Sequence, residues 1–185
     1  MKKETLLLLC LFYFCNLQAQ KIKYSKEMLQ KMEDIEIDIF EPLEGKYKSR
    51  RSVQYDYQKI DHTITSRSEG LEIRYAILPA RKSDPSTQVP HVEFMRIISS
   101  IAPNEEDVPV TVHTIPSSTL SKQFNADWGS IAYFKPKPSF SDRQHCRILS
   151  LFSEDRGTIH VFYLFDEPSK HLDTRFYSVR FEQAL

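Results

Sequence analysis

The chain has 185 residues, of which 25 are basic and 25 acidic, so its formal net charge at neutral pH is zero. That balance does not favour binding to nucleic acid or to an anionic membrane surface. Four glycines occur, at positions 45, 70, 129 and 157, which excludes the glycine-rich loops that cradle phosphate groups.

Residues 1–19 have the order of a secretory signal peptide. Two lysines precede an apolar stretch from Leu6 to Phe14, and polar residues follow before Ala19, after which we place the cleavage. The apolar stretch is well short of the ~20 residues that a membrane-spanning helix needs, and no later segment approaches that length. We therefore expect an exported protein, periplasmic or secreted, without an integral membrane segment and with residues 20–185 forming a single domain.

Cleavage of the signal peptide removes two of the three cysteines, Cys10 and Cys15, and leaves Cys146 as the single thiol. An intramolecular disulfide is then impossible. The residues before the two early cysteines, Leu9 and Phe14, are large, which does not favour a lipoprotein anchor. We expect the fold to depend on its hydrophobic core.

The first predicted elements are a helix and a strand, which together make residues 20–45 a peripheral N-terminal segment. Apolar residues at helical spacing predict the helix between Tyr24 and Asp34, with Ser25 as its N-cap. Alternation from Glu36 to Phe40 predicts the strand. The stretch from Lys46 to Tyr57, which includes Val53, fits an edge strand or a loosely packed hairpin.

A β-hairpin is the clearest element of the chain. Its strands run from His62 to Arg67 and from Leu71 to Leu78, with the turn at Gly70. A charged surface loop then leads to Pro90, which stands in the first turn of a helix that ends at Pro103.

The remaining residues predict mostly strands. Pro109 places a strand from Val108 to Ile115 near a sheet edge, and Ser117 or Ser118 caps a short helix that ends near Trp128-Gly129. Further strands are predicted over Ser130 to Phe134, His145 to Phe152, Thr158 to Phe165 and Thr174 to Phe181. Helices inserted between runs of adjacent strands predict an α+β fold, a mostly antiparallel sheet with two or three short helices packed on it as a sandwich.

Asp127 and Trp128 lie in the most distinctive string, between Phe124 and Phe134. In one interpretation Asp127 is a ligand or general base, and Trp128 forms one wall of a pocket. In the other, the string is a helix end in which Gly129 adopts a left-handed turn, Asp127 bonds local amides and Trp128 packs in the core.

His145 and Cys146 begin a predicted strand, and His113 and His160 lie in other strands. A Cys-His pair would require a histidine to meet the thiol in space. However, alternation places Cys146 in phase with Ile148, which favours a buried, apolar thiol.

No zinc-binding or serine-hydrolase motif is present, so we assign no catalytic residue, metal or cofactor. The residues that we select as candidates for binding a ligand or partner are Asp127, Trp128, His145 and Tyr133. Aromatic residues are frequent in the C-terminal half, and a surplus on one sheet face would form a groove for a partner.

Basic residues form two clusters in the sequence. The first comprises Lys46, Lys48, Arg50 and Arg51, and the second comprises Lys135, Lys137 and Arg143. Each is either a solvated, charged sheet edge that blocks aggregation or a site for an anion.

The order of elements resembles that of exported PsbP-like α/β sandwich proteins over about Tyr47 to Phe181. An early strand from Gly70 to Tyr75, a following helix and a Phe-x-Ala-Asp-x-Gly helix end before a strand carry this resemblance. It implies a noncatalytic scaffold that acts in assembly or binding, and it assigns no functional residue.

We therefore expect an exported, noncatalytic module that binds a protein partner in the bacterial envelope. The alternative is a small hydrolase or a small-ligand-binding protein with a site near Asp127 and Trp128.

Overall fold

A computed structural model describes residues 22–51, 55, 58–81, 88–103 and 109–183. The predicted signal peptide, with Cys10 and Cys15, lies outside these residues. So do Val53, Tyr57, Val108 and most of the predicted loop before Pro90. Within the described ranges, no helix is both long and apolar enough to cross a membrane.

The described residues form nine strands and four α-helices. The strands are β1 (Ile37–Ile39), β2 (Lys48–Arg50), β3 (His62–Ser66), β4 (Leu71–Pro79), β5 (Thr111–Thr114), β6 (Trp128–Phe134), β7 (His145–Ser153), β8 (Gly157–Phe165) and β9 (Val179–Phe181). The helices are α1 (Lys26–Asp34), α2 (Pro90–Ile101), α3 (Ser117–Thr119) and α4 (Leu172–Phe176). A 3-10 turn spans Leu43–Gly45, and a π-helical turn, Leu120–Phe124, continues α3.

Seven strands form one antiparallel sheet in the order β2-β3-β4-β8-β7-β6-β5, and β1 pairs with β9 in a separate antiparallel ribbon. The predicted α+β class, with a mostly antiparallel sheet and short helices packed on it, is confirmed. Since β2 and β5 each have one neighbour among the described strands, they are the two edges of the large sheet.

Helix α1 begins where the sequence predicts it. The hydroxyl of Ser25 accepts a hydrogen bond from the amide of Met28 at 3.1 Å, which satisfies one of the free amides of the first turn. Met28 and Ile35 are fully buried, and Ile37 of β1 is nearly so. The helix and strand that the sequence places at the periphery thus contribute side chains to the main core.

The two central hairpins depend on glycine. Gly70 turns β3 into β4 with φ +64°, and Gly157 begins β8 with φ +132°. A Cβ atom at Gly157 would clash with the carbonyl oxygen of Leu78 on the neighbouring strand, so a larger residue does not fit there. The lack of a side chain at Gly157 thus allows β8 to pair closely with β4 in the middle of the sheet.

Alternation along β4 separates two core layers. Ile73 and Tyr75 face the side covered by α1, α4 and the β1-β9 ribbon, whereas Ala76 faces the side covered by α2. Phe94 and Ile98 of α2 pack in the second layer. The central strands are therefore buried on both faces.

The prediction that Ser117 or Ser118 caps the helix before β6 is wrong, as is the predicted helix end near Trp128-Gly129. Pro116 is the N-cap residue, and the helical segment ends at Phe124 because Asn125 adopts φ +49°. Asparagine tolerates this left-handed conformation better than most residues. Gly129 already lies in β6, where a Cβ atom would meet the Leu120 side chain at 2.7 Å.

The last predicted strand, Thr174 to Phe181, is correct only for its end, because β9 begins at Val179. The preceding residues form α4, in which Arg175 and Phe176 are buried. Phe176 packs edge-on against Phe124 with ring centroids 5.9 Å apart. This burial outweighs the local alternation that favours a strand.

Candidate functional site

The four residues selected from the sequence divide into two pairs. Trp128 is the first residue of β6 and Tyr133 the sixth, so about 17 Å of extended strand separates them. Their odd and even positions also direct their side chains to opposite faces of the sheet. Asp127 precedes Trp128, whereas His145 lies in β7 near Tyr133. The structure therefore does not bring the four residues into one site.

Asp127 forms hydrogen bonds with the end of β7 and with the turn that follows it. Its carboxylate accepts a hydrogen bond from the amide of Glu154 at 2.7 Å, and its own amide donates to the carbonyl of Phe152 at 2.9 Å. Phe152 belongs to β7 and Glu154 to the turn after it. The amide that binds the Asp127 carboxylate is therefore distant in sequence, whereas the second interpretation expects local amides at the helix end. The adjoining cavity is small, about 250 Å³, and Ser121 and Arg156 also line it.

Trp128 contacts helix α2. The indole is half-buried and packs edge-on against Phe94 of α2, with ring centroids 5.8 Å apart. It therefore helps to hold α2 on the sheet, in agreement with the interpretation that places it in the core. It does not line the cavity beside Asp127.

Tyr133 and His145 do meet. The Tyr133 hydroxyl and His145 Nδ1 are 2.7 Å apart, and the rings stack with centroids 5.6 Å apart and planes 19° from parallel. Phe165 of β8 lies against the His145 ring at 5.4 Å. Tyr133 is 40 % exposed, so this stack presents an aromatic surface to solvent. Desolvation raises the pKa of the Tyr133 hydroxyl, which therefore stays protonated at neutral pH.

The aromatic stack adjoins the β5 edge of the sheet. Thr111 of β5 lies directly opposite Tyr133 of β6. The amide of Ile115 donates to the carbonyl of Gly129, and bonded residues alternate along an antiparallel pair. The backbone groups of Thr111 and His113 thus point toward β6, and those of Val112 point outward.

The two edges of the large sheet differ in charge. All residues of both edge strands are exposed, but β2 carries Lys48 and Arg50, whereas β5 has the sequence Thr-Val-His-Thr. Charged side chains on an edge strand discourage pairing with a further strand. The β2 edge fits the predicted charged edge that blocks aggregation, and β5 has no such protection.

Cys146 is fully buried in the layer beneath α2, as its alternation predicts. Burial raises the pKa of the thiol well above its ordinary value, so the thiolate is disfavoured. Cys146 pairs with Leu164 across β7 and β8, which separates it from His160 by about 13 Å along the strand. A Cys-His pair with His160 is therefore not formed.

His160 instead pairs with Ser150, a contact that sequence reasoning missed. The Ser150 hydroxyl and His160 Nδ1 are 2.6 Å apart, both side chains are completely buried, and His160 Nε2 has no hydrogen-bond partner among the residues that the structure describes. Burial lowers the pKa of His160 to about 4. Because neither side chain is exposed to solvent, this pair resembles a buried structural contact and not a hydrolytic dyad.

A buried ion pair is the second feature that the sequence did not reveal. Glu69, in the turn before Gly70, accepts two hydrogen bonds from Arg175 at 2.6 and 3.0 Å and one from Tyr47 at 2.6 Å. Burial raises the pKa of Glu69, but these hydrogen bonds outweigh burial and the net shift is downward. The pair links residues 106 positions apart, so no local signal could have identified it.

Within the described ranges, no cluster of three or more histidine, cysteine or acidic side chains is arranged to hold a metal ion. Comparison with known proteins adds no family, because no family model, curated protein or solved structure matches this chain.

Proposed function

We propose that this chain is an exported, noncatalytic binding module whose protein partner adds a β-strand to the β5 edge. The observation that carries the proposal is β5, an edge strand whose residues are all exposed and include no lysine, arginine, aspartate or glutamate. An extended peptide gains main-chain hydrogen bonds by joining such an edge, and side chains beside the edge provide specificity.

The surroundings of β5 support this mode of binding. Val112 is 42 % exposed and directs its backbone N–H and C=O outward, where a further strand would bond. On one face of the sheet, Thr111 is too small to cover the Tyr133 ring. The Tyr133-His145 stack would therefore lie within reach of side chains on an added strand. Aromatic side chains are enriched at protein interfaces.

The export part of the proposal rests on the signal-like order of residues 1–19, and the partner is expected in the bacterial envelope. The resemblance to PsbP-like proteins agrees with a binding role and stays a prediction. The alternative site near Asp127 and Trp128 gains no support from geometry, because the two side chains serve a turn and a helix contact respectively.

Val112→Lys tests the proposal, because a lysine on an edge strand opposes the addition of another strand. Val92→Lys is the matched control, since Val92 is an exposed valine of α2 that lies away from the sheet edge. A photo-crosslinking residue replaces Thr114 in the exported protein, and mass spectrometry identifies what it captures in cells.

We expect a defined envelope protein to be captured by the wild-type chain and by Val92→Lys, and its yield to fall about tenfold or more with Val112→Lys. Equal capture by all three chains would contradict binding at β5. Capture of only a second copy of this chain would show self-association at this edge and would contradict the proposal of an envelope partner.

A further inference from the structure

A second feature of the surface is an arginine-lined groove of about 530 Å³ on the α2 side of the sheet, near the β2 edge. Strands β3 and β4 supply its floor, including the hydroxyl-bearing residues Thr63 and Thr65. Five arginines and one glutamate line it: Arg50, Arg51, Arg67, Arg74, Arg143 and Glu72. The fold thus brings Arg143 of the second basic cluster beside Arg50 and Arg51 of the first.

Two of the five guanidinium groups are neutralised locally. Arg74 pairs with Glu72 at 2.6 Å, and Arg143 pairs with Asp166 at 2.6 Å. The other three form no ion pair with any described residue: Arg50, Arg51 and Arg67. Three like charges therefore converge on one concave surface, where their mutual repulsion favours an anion.

The groove is built on fixed groups. Arg74 is only 7 % exposed, and its guanidinium lies over the neighbouring rings of Tyr55 and Phe140, 4.9 and 4.8 Å from their centroids. Arg50 donates through Nε to the hydroxyl of Thr65 at 3.0 Å, which orients its side chain, and its two terminal nitrogens have no hydrogen-bond partner among the described residues. Binding groups held by strands lose little conformational freedom when a ligand arrives.

We propose that this groove binds a ligand with a phosphate monoester or diphosphate group. The planar arginine fork donates two parallel hydrogen bonds to phosphate oxygens, which a lysine cannot do. Three arginines that have no ion pair among the described residues match a multiply charged phosphate group better than a single carboxylate. The Thr63 hydroxyl adds a donor on the floor, and the Tyr55 ring offers an apolar wall for the rest of the ligand.

Pyrophosphate is the probe, titrated into the purified protein at low ionic strength by calorimetry and by two-dimensional NMR. We expect saturable binding, with amide shifts confined to β2, β3 and β4. Arg50→Ala combined with Arg67→Ala should weaken binding at least about tenfold, because each removes charge-assisted hydrogen bonds. Lys26→Ala with Lys122→Ala removes the same charge at exposed sites elsewhere and should leave the affinity unchanged.

Absence of saturable binding, or shifts spread over the whole surface, would overturn the proposal without any variant. An equal loss of affinity in the Lys26→Ala, Lys122→Ala variant would show that overall charge alone causes the effect. Replacing Arg50 and Arg67 by lysine keeps the charge, so full retention of affinity would refute recognition by the arginine fork. If the Arg50→Ala, Arg67→Ala variant does not fold, the Arg50→Lys, Arg67→Lys variant and the NMR shifts of the wild-type protein still test whether the groove binds phosphate.

Two sources of the phosphate group are distinguished by flotation with vesicles of phosphatidylcholine, with and without phosphatidic acid. Flotation only with phosphatidic acid, and its loss in the Arg50→Ala, Arg67→Ala chain, would assign the groove to a lipid headgroup. Pyrophosphate binding without flotation would assign it to a dissolved phosphate compound. If the protein does not bind pyrophosphate, the proposal is rejected whether or not the protein floats with the vesicles.

Discussion

The buried His160-Ser150 pair predicts that acid destabilises this protein well above the pH at which carboxylates titrate. Burial is the main cause that lowers the pKa of His160 from 6.5 to about 4, while the charges of Glu93 and Arg96 act in opposite directions. At about 1.36 kcal/mol per pKa unit, this difference corresponds to roughly 3 kcal/mol.

The sign follows from proton binding in the two states. Above pH 6.5, His160 is neutral in both the folded and the unfolded chain. Between pH 6.5 and about 4, the unfolded chain binds a proton that the folded chain does not, so the free energy of unfolding falls as the pH falls. Below that range both states are protonated, and His160 contributes no further loss.

Urea unfolding at a series of pH values, followed by the fluorescence of the single tryptophan, measures this free energy. The double variant Ser150→Ala, His160→Phe replaces both polar partners by apolar groups, which tends to be nearly neutral for stability. It should remove about 3 kcal/mol of the acid dependence. His91→Phe changes an exposed histidine of α2 and should not alter it.

Burial lowers the pKa of His62 as well, so a smaller slope in the same pH range should persist in the double variant. If the double variant kept the full wild-type slope, the assignment of the acid loss to His160 would be wrong. A slope confined to pH values below 4.5, where Glu69 titrates, would lead to the same conclusion.

Two further predictions concern charged contacts. Glu69→Gln leaves the buried Arg175 without its anion and should lower the free energy of unfolding by about 3 to 5 kcal/mol. Arg143→Gln, in a more exposed pair, should cost less than about 1 kcal/mol in the same urea experiment, and similar losses would contradict the distinction. Asp127→Ala should cost about 1 kcal/mol by freeing the Glu154 amide, whereas Asp127→Asn should retain part of that stability. Loss of an enzymatic activity with an unchanged melting temperature would instead favour the alternative site.

The candidate site was only partly predictable from the sequence. The sequence places Tyr133 and His145 in predicted strands and makes both candidates for binding. Their contact, however, depends on the register of β6 against β7, which the sequence does not show. Asp127 and Trp128 are adjacent in sequence, yet one bonds a distant turn and the other packs on α2. Adjacent residues of an extended chain point in opposite directions, so proximity in sequence does not make a site.

The features that can be derived from the sequence alone are local. The Ser25 cap, the turn at Gly70 and the alternation along β4 follow from hydrogen bonding and steric limits within a few residues. The α+β class follows from the order of such elements.

Long-range pairing, by contrast, determines which two strands form the edges of the sheet and which distant charges meet. Pro109 predicts that this strand lies near a sheet edge, but it does not indicate that β5 pairs with β6 alone, since strand order depends on the pairing of all the strands. Likewise, Arg50 and Arg143 share a groove, and Glu69 meets Arg175, because burying both faces of the central strands fixes the positions of the segments around them. Those contacts are long-range, whereas sequence periodicity reports only on one element at a time.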